Sequence, residues 1–192
     1  MERIAIFASG TGTNAQNLIR YFNFDNPRSA TVAAVFVNNP DAPVIQRALV
    51  YGVPVYTFSK RQLELTDDVL TQLHRRGITF IVLAGFLLHL PDNIIDRYYR
   101  RVVNLHPSLL PKYGGKGMYG RRVHRAVLEA KESVTGITVH IVNHYYDEGE
   151  ITMQKTVDID PDESVDSLEQ KIHELELEFF PKEIERLIQT CC

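Results

Sequence analysis

Ile4-Ala5-Ile6-Phe7-Ala8-Ser9-Gly10-Thr11-Gly12-Thr13-Asn14-Ala15 passes from an unbroken apolar run, through two closely spaced glycines, into a polar segment. A short apolar run bounded by glycine reads as a strand buried on both faces, the mark of a parallel sheet. A helix is expected next, over Ala15–Phe22. A turn of this kind aims backbone N–H groups and the positive end of the helix dipole at one point, so an anion is its natural occupant. The string also satisfies Gly-x-Gly-x-x-Ala, the dinucleotide fingerprint. That reading needs an acidic residue at the end of the second strand, which here ends Phe36-Val37-Asn38-Asn39. No lysine marks a P-loop NTPase, whereas Thr13 and Asn14 offer donors suited to a terminal phosphate monoester. An ordinary tight strand-to-helix turn would use the same residues.

Outward from this stretch, apolar runs alternate with longer amphipathic segments. Strands are expected at Ala30–Val37, Val53–Thr57, Phe80–Ala84 and Arg101–Leu105. Helices are expected at Pro43–Tyr51, at Gln62–Arg75 and from Pro91, as the opening helical residue, through Tyr99. The C-terminal part differs. A glycine-rich segment, Gly114 to Gly120, precedes a helix near Arg122–Lys131 and two strands, Thr135–Val142 and Ile151–Val157, joined closely enough to pair antiparallel. Ser164 is a plausible N-cap for a last helix whose Val165, Leu168, Ile172, Leu175 and Phe179 form an apolar stripe, with Pro181 expected to kink or end it. The fold class is α/β, a mostly parallel sheet flanked by helices with an antiparallel strand pair in its C-terminal part.

The 192 residues fit one domain, 1–192. Hydrophobic residues at 44% and charged residues at 23% match a globular chain and exclude a disordered one. A formal charge of −3 provides no general basic surface for nucleic acid. No run approaches the ~18 apolar residues of a membrane span, and no signal peptide is apparent. Cys191 and Cys192 are adjacent, so they neither close a useful loop nor give metal-ligand spacing, and a reducing, cytoplasmic setting is expected.

Asn104-Leu105-His106-Pro107-Ser108-Leu109-Leu110-Pro111 carries the chemistry. Residues two apart on a strand share a face, so Asn104 and His106 point together. Pro107 cannot continue a ladder, which puts the pair at a strand's carboxyl end, where open α/β sheets hold their sites. An amide that can stabilise an oxyanion, beside an imidazole that can move protons, suits acyl transfer. Two polar side chains satisfying a strand-to-loop turn would look the same.

Together with Ala8–Asn14, Val82-Leu83-Ala84-Gly85-Phe86 and Thr135-Gly136-Ile137-Thr138-Val139-His140, this stretch resembles the folate-dependent formyltransferases over nearly the whole chain. The Ser-Gly-x-Gly-Thr-Asn loop points to the branch that acts on a phosphoribosyl amine. The resemblance implies a Rossmann-like formyltransferase fold and transfer of a formyl group from 10-formyltetrahydrofolate to glycinamide ribonucleotide, in purine biosynthesis. It implies a catalytic set of Asn104, His106 and Asp147, the last orienting His106 and a proton-relaying water. It places Gly12, Thr13 and Asn14 at the ribose phosphate, and His173 and Glu176 near the same substrate. Leu87, Leu88, His89 and Leu90, with Asn143, His144, Tyr145 and Tyr146, are implied at the folate. It implies no metal, nucleic-acid or membrane partner, and leaves a homodimer open.

The chain departs from many relatives in three places. Leu87-Leu88 stands where they carry Met-Arg, Glu150 replaces a proline after Asp147-Glu148-Gly149, and Gly114–Arg122 is longer, either a flap or a surface insertion. Other formyl-group enzymes remain alternatives: a formyltetrahydrofolate hydrolase or a transferase with another amine acceptor. A non-catalytic nucleotide-binding module would keep Gly10–Asn14 but has no need of Asn104, His106 and Asp147 together. His124 and His140 are read as structural as readily as functional.

Overall fold

The computed structural model describes residues 1–27 and 29–190, so the expectation for Cys191 and Cys192 lies outside the described residues. The described strands form one seven-stranded sheet in the order β3-β2-β1-β4-β5-β6-β7. They are β1 (Glu2–Ala8), β2 (Ala30–Val37), β3 (Val55–Thr57), β4 (Phe80–Leu83), β5 (Val102–His106), β6 (Val134–Ile141) and β7 (Ile151–Asp158). Pairings among β1 to β5 are parallel, whereas β5–β6 and β6–β7 are antiparallel. The expected α/β architecture and its antiparallel C-terminal pair are both present.

Strand β1 shows why the sheet forms. Ile4, Ile6 and Ala8 enter one apolar layer with Leu18, Ile19, Leu168 and Phe180, while Ala5 and Phe7 enter the other with Leu63, Leu73, Ile94 and Ile95. All five β1 residues are fully buried, as a strand covered on both faces requires. In the second layer Phe7 stacks on Phe36 at 4.9 Å and meets the edge of Phe86 at 5.3 Å.

Around the sheet lie α1 (Thr13–Arg20), α2 (Val44–Val50), α3 (Lys60–Leu65), α4 (Asp68–Arg75), α5 (Asp92–Arg97), α6 (Arg121–Glu129) and α7 (Val165–Thr190). Four expectations are corrected. The first helix starts at Thr13 and passes into a π-helical segment, Tyr21–Asp25. The single helix expected over Gln62–Arg75 is two, because Ser59 and Gln62 make a reciprocal cap that starts α3, and Thr66 turns extended and accepts the Asp68 N–H with its hydroxyl. Pro91 sits just before the first turn of α5, with an extended backbone, rather than inside it. Pro181 does not end α7. It leaves the Leu177 carbonyl without a helical donor, and the Asn17 side chain supplies one at 2.8 Å.

Strands run from β1 to β2 and β3 in one direction and from β1 to β4 in the other, so the order reverses between β1 and β4. Ligand crevices form at such a reversal. Here Ser9 N donates to Gly85 O at 3.0 Å and Leu87 N donates to Ser9 Oγ at 3.0 Å, which joins the loops that follow the two strands.

Candidate active site

Asn104 and His106 end β5 on one face, and both reach Asp147 on the loop between β6 and β7. Asn104 Nδ2 lies 3.1 Å from His140 Nε2 and 3.4 Å from Asp147 Oδ1. His106 Nδ1 lies 3.6 Å from Asp147 Oδ2, and its Nε2 is 2.8 Å from the Tyr113 carbonyl. A carbonyl only accepts, so Nε2 carries the proton and the neutral ring turns a bare Nδ1 toward the carboxylate.

Burial pushes the His106 imidazole below its ordinary value and outweighs the upward pull of Asp147 and of the Tyr113 carbonyl. For Asp147, burial opposes ionisation, but His140, His106 and the Gly115 N–H, which donates to Oδ2 at 2.8 Å, together hold the carboxyl low. The resting pair is therefore a neutral imidazole facing a carboxylate. That arrangement accepts a proton at Nδ1 and then stabilises the cation.

His140, which the sequence did not separate from a structural histidine, is a central member of the group. Its Nδ1 lies 3.2 Å from the Ile141 carbonyl, and its Nε2 lies 3.1 Å from the Asn104 amide nitrogen and 3.5 Å from Asp147 Oδ1. The signal was available in the strand pairing: Asn104 stands directly opposite His140 in the β5–β6 register. Gly149 allows this packing, because a Cβ there would come within 1.6 Å of the Ile141 carbonyl oxygen.

These side chains open onto a cleft of about 950 Å³. At one end lies the glycine loop. Gly12 adopts φ 76°, and any Cβ there would fall 2.3 Å from Val44 Cγ2, so glycine serves the packing of α2 as well as the turn. No side chain caps α1, which leaves its first N–H groups facing the cleft. Asn14 Nδ2 donates to Glu176 Oε2 at 2.8 Å, and His173 Nδ1 lies 3.3 Å from the same oxygen. The Asn14 side-chain oxygen, Oδ1, is buried without a protein partner. Glu176 is thus no solvated helical glutamate, since its side chain is 14% exposed. Its hydrogen bond raises the His173 imidazole, against burial.

At the other end Leu87, Leu88, His89 and Leu90 line the cleft with Tyr145 and Tyr146. The His89 and Tyr146 rings lie 4.6 Å apart. Asn143 and His144, expected at the folate, are placed elsewhere. Asn143 bends the loop, accepting the Tyr145 N–H at 3.0 Å and donating to the Glu148 carbonyl at 3.3 Å. His144 turns outward to Asp92 and Asp96 of α5, at 2.9 and 3.2 Å. Gly115 to Gly120 also border the cleft, and Gly115 contributes its N–H to Asp147, so the root of this longer segment is part of the site. His124 lines the same wall, with burial holding its imidazole low.

Among the described residues no group of three or more His, Cys, Asp or Glu could hold a metal ion, and no helix is long and apolar enough to cross a membrane.

Residues 2–184 match the family model described as formyl transferase. The chain is 32% identical to the phosphoribosylglycinamide formyltransferase of Bacillus subtilis, covering 98% of this chain and 95% of that protein. It is 35% identical to the enzyme of that name from Haemophilus influenzae, with 94% and 84% covered. The crystal structure of phosphoribosylglycinamide formyltransferase from Bacillus halodurans superposes with a TM-score of 0.88 at 31% identity, covering all of this chain and 97% of that one. With nearly the whole length matched in sequence and in fold, the chain belongs to the formyl transferase family.

Proposed function

We propose that this protein transfers the formyl group of 10-formyltetrahydrofolate to the amine of glycinamide ribonucleotide, a step of purine biosynthesis, giving formylglycinamide ribonucleotide and tetrahydrofolate. The observation that carries the reading is the convergence of Asn104, His106 and Asp147 in the same cleft as the uncapped N-terminus of α1.

The residues fit both substrates. Bare N–H groups at Gly12, Thr13 and Asn14 suit the phosphate, and Glu176 with His173 suits the polar ribose and amine region. The slot formed by Leu87, Leu88, His89, Leu90, Tyr145 and Tyr146, with the backbone around it, suits a flat heterocycle. The folate supplies an activated formyl carbon and a nitrogen leaving group.

The side chains supply the rest. Asn104 Nδ2 donates to the formyl oxygen as negative charge develops there. His106 accepts a proton at Nδ1, beside Asp147, and the resulting cation adds to the stabilisation of that oxygen. That proton is the one the attacking amine releases, directly or through water; Asp147, ionised at rest, stabilises the imidazolium until His106 returns the proton to the leaving nitrogen.

The test is a two-substrate assay with purified protein, glycinamide ribonucleotide and 10-formyltetrahydrofolate or its dideaza analogue. The deformylated folate is followed by absorbance and the formylated ribonucleotide is assayed separately. We expect product only when both substrates are present. Deformylation without the ribonucleotide would mark a hydrolase. Ribonucleotide binding with no turnover would leave a binding module or a different acceptor.

A further inference from the structure

The turn that follows the cis Leu110-Pro111 bond touches both members of the His106–Asp147 pair with its backbone. The Tyr113 carbonyl accepts from His106 Nε2 at 2.8 Å, and two residues on the Gly115 N–H donates to Asp147 Oδ2 at 2.8 Å. Gly114 between them is pinned, since a Cβ there would meet Leu110 Cδ2 at 2.5 Å and Asp147 Cβ at 3.2 Å. Tyr113 holds φ 57°, a left-handed conformation that costs free energy in a bulky residue and persists only where its surroundings enforce it.

The enforcement is visible. The Tyr113 hydroxyl donates to Glu132 Oε1 at 2.8 Å, and Lys112 Nζ binds the same oxygen at 2.7 Å. Glu132 lies past the end of α6 and does not line the cleft. Two adjacent side chains of the turn are thus tied to one carboxylate outside the site. Ser108 Oγ adds a bond to the Lys112 carbonyl at 2.8 Å.

We propose that Tyr113 and Glu132 are positioning residues for His106: the phenol–carboxylate bond holds the left-handed turn whose carbonyl fixes the imidazole as its Nε2–H tautomer and keeps Nδ1 toward Asp147. Without that carbonyl the buried ring has no fixed partner for Nε2, and the two tautomers become comparable. Only one of them leaves Nδ1 free to take a proton beside the carboxylate. The charged and titratable groups that face His106 are Asp147, His140 on β6, Glu176 on α7 and His124 on α6. None of them bonds to Nε2.

The kinetic part of the test rests on the formyl-transfer reading, whereas the spectroscopic part does not. Imidazole nitrogen shifts of His106, recorded on the full chain labelled with ¹⁵N, report the tautomer directly. The wild type should show a single Nε2–H form. Tyr113→Phe, which removes one oxygen, and Glu132→Ala should both give tautomer mixtures. Glu132→Gln, which keeps an acceptor for the phenol, should restore most of the Nε2–H form.

In turnover, the two disrupting variants should lower kcat by about three- to tenfold, the range one hydrogen bond supplies, with both KM values within about twofold. Their acid limb should move to lower pH, because the carbonyl no longer favours the protonated ring. Combining them should cost no more than either alone. An unchanged His106 signal in both variants overturns the proposal, whatever happens to Tm or activity. If Glu132→Ala fails to fold, Tyr113→Phe decides alone. If the wild type transfers no formyl group, the nitrogen shifts still decide.

Discussion

Asn104 and His140 face one another across the antiparallel pair β5–β6, with Nδ2 3.1 Å from Nε2. His140 Nε2 also lies 3.5 Å from Asp147 Oδ1, so the Asn104 amide is held between an imidazole and a carboxylate at the end of the sheet. An oxyanion donor is useful only if it is held in advance. Asn104→Ala should lower kcat by about 10²-fold or more, with KM for both substrates little changed. Steady-state kinetics on each substrate checks this, and near wild-type turnover would remove Asn104 from the chemistry.

The pH dependence follows from two depressed groups. His106, held low by burial, is neutral near neutrality, and Asp147 is ionised against its burial by His140, His106 and the Gly115 N–H. As pH falls, His106 protonates before it can accept the amine's proton, and the amine itself is lost to its ammonium form. Turnover should therefore decline toward acid, and a kcat flat from about pH 5 to pH 8 would contradict the assignment. Stability has the same sign. Both groups bind fewer protons folded than unfolded, so the His106 contribution is full above about pH 6.5 and the Asp147 contribution above about pH 3.9, and each is lost as pH falls through its folded value.

Glu176 should divide binding from chemistry. Its Oε2 accepts from Asn14 at 2.8 Å and holds His173 at 3.3 Å, which links α7 to the first turn of α1 at the proposed ribonucleotide end. Glu176→Gln keeps an oxygen for Asn14 but removes the charge. A charge-assisted bond of this kind is worth about 10- to 100-fold, so KM for the ribonucleotide should rise by that factor while KM for the folate stays level. Equal rises in both would place Glu176 elsewhere in the cycle.

What the sequence disclosed follows the periodicities that side chains obey. Asn104 and His106 were legible because a strand repeats every two residues, and the C-terminal antiparallel pair was legible because a short connection permits nothing else. Asp147 was not legible from pattern. It sits in a loop at φ 56° with no period, and only the resemblance singled it out. His140 was not separable from a structural histidine, because register, not composition, sets it opposite Asn104. The resemblance implied Asn143, His144, Tyr145 and Tyr146 at the folate, whereas the Asn143 turn sends the His144 side chain away from the cleft. The break in the Gln62–Arg75 segment likewise depended on the Thr66 hydroxyl capturing the Asp68 N–H, a local competition that apolar spacing does not record.

His144 ties the loop that bears Asp147 to α5. Its hydrogen bond to Asp92 comes first in raising the imidazole, against desolvation, with Asp96 adding to it. A raised folded-state value means that the stabilisation is complete below about pH 6.5 and fades as pH rises through the folded value. The exposed setting keeps the effect small. The double variant Asp92→Asn with Asp96→Asn should melt at a lower Tm than the wild type at pH 5.5 and at the same Tm at pH 9. A Tm difference that is equal at both pH values would mean that the aspartates act by something other than the His144 charge.

Asn17 explains how α7 survives a proline, and the explanation makes a paired prediction. Pro181 has no N–H for the Leu177 carbonyl, and Asn17 Nδ2 fills the place from α1 at 2.8 Å. Asn17→Ala should destabilise the protein by about 1 kcal/mol, the usual net worth of such a bond, with no effect on either KM. Pro181→Ala alone restores a backbone donor to that carbonyl and makes the asparagine redundant. In the Pro181→Ala background, then, Asn17→Ala should cost less than it does in the wild type, as read from urea unfolding midpoints at constant slope. Strictly additive costs would show that Asn17 holds α1 to α7 through some other contact.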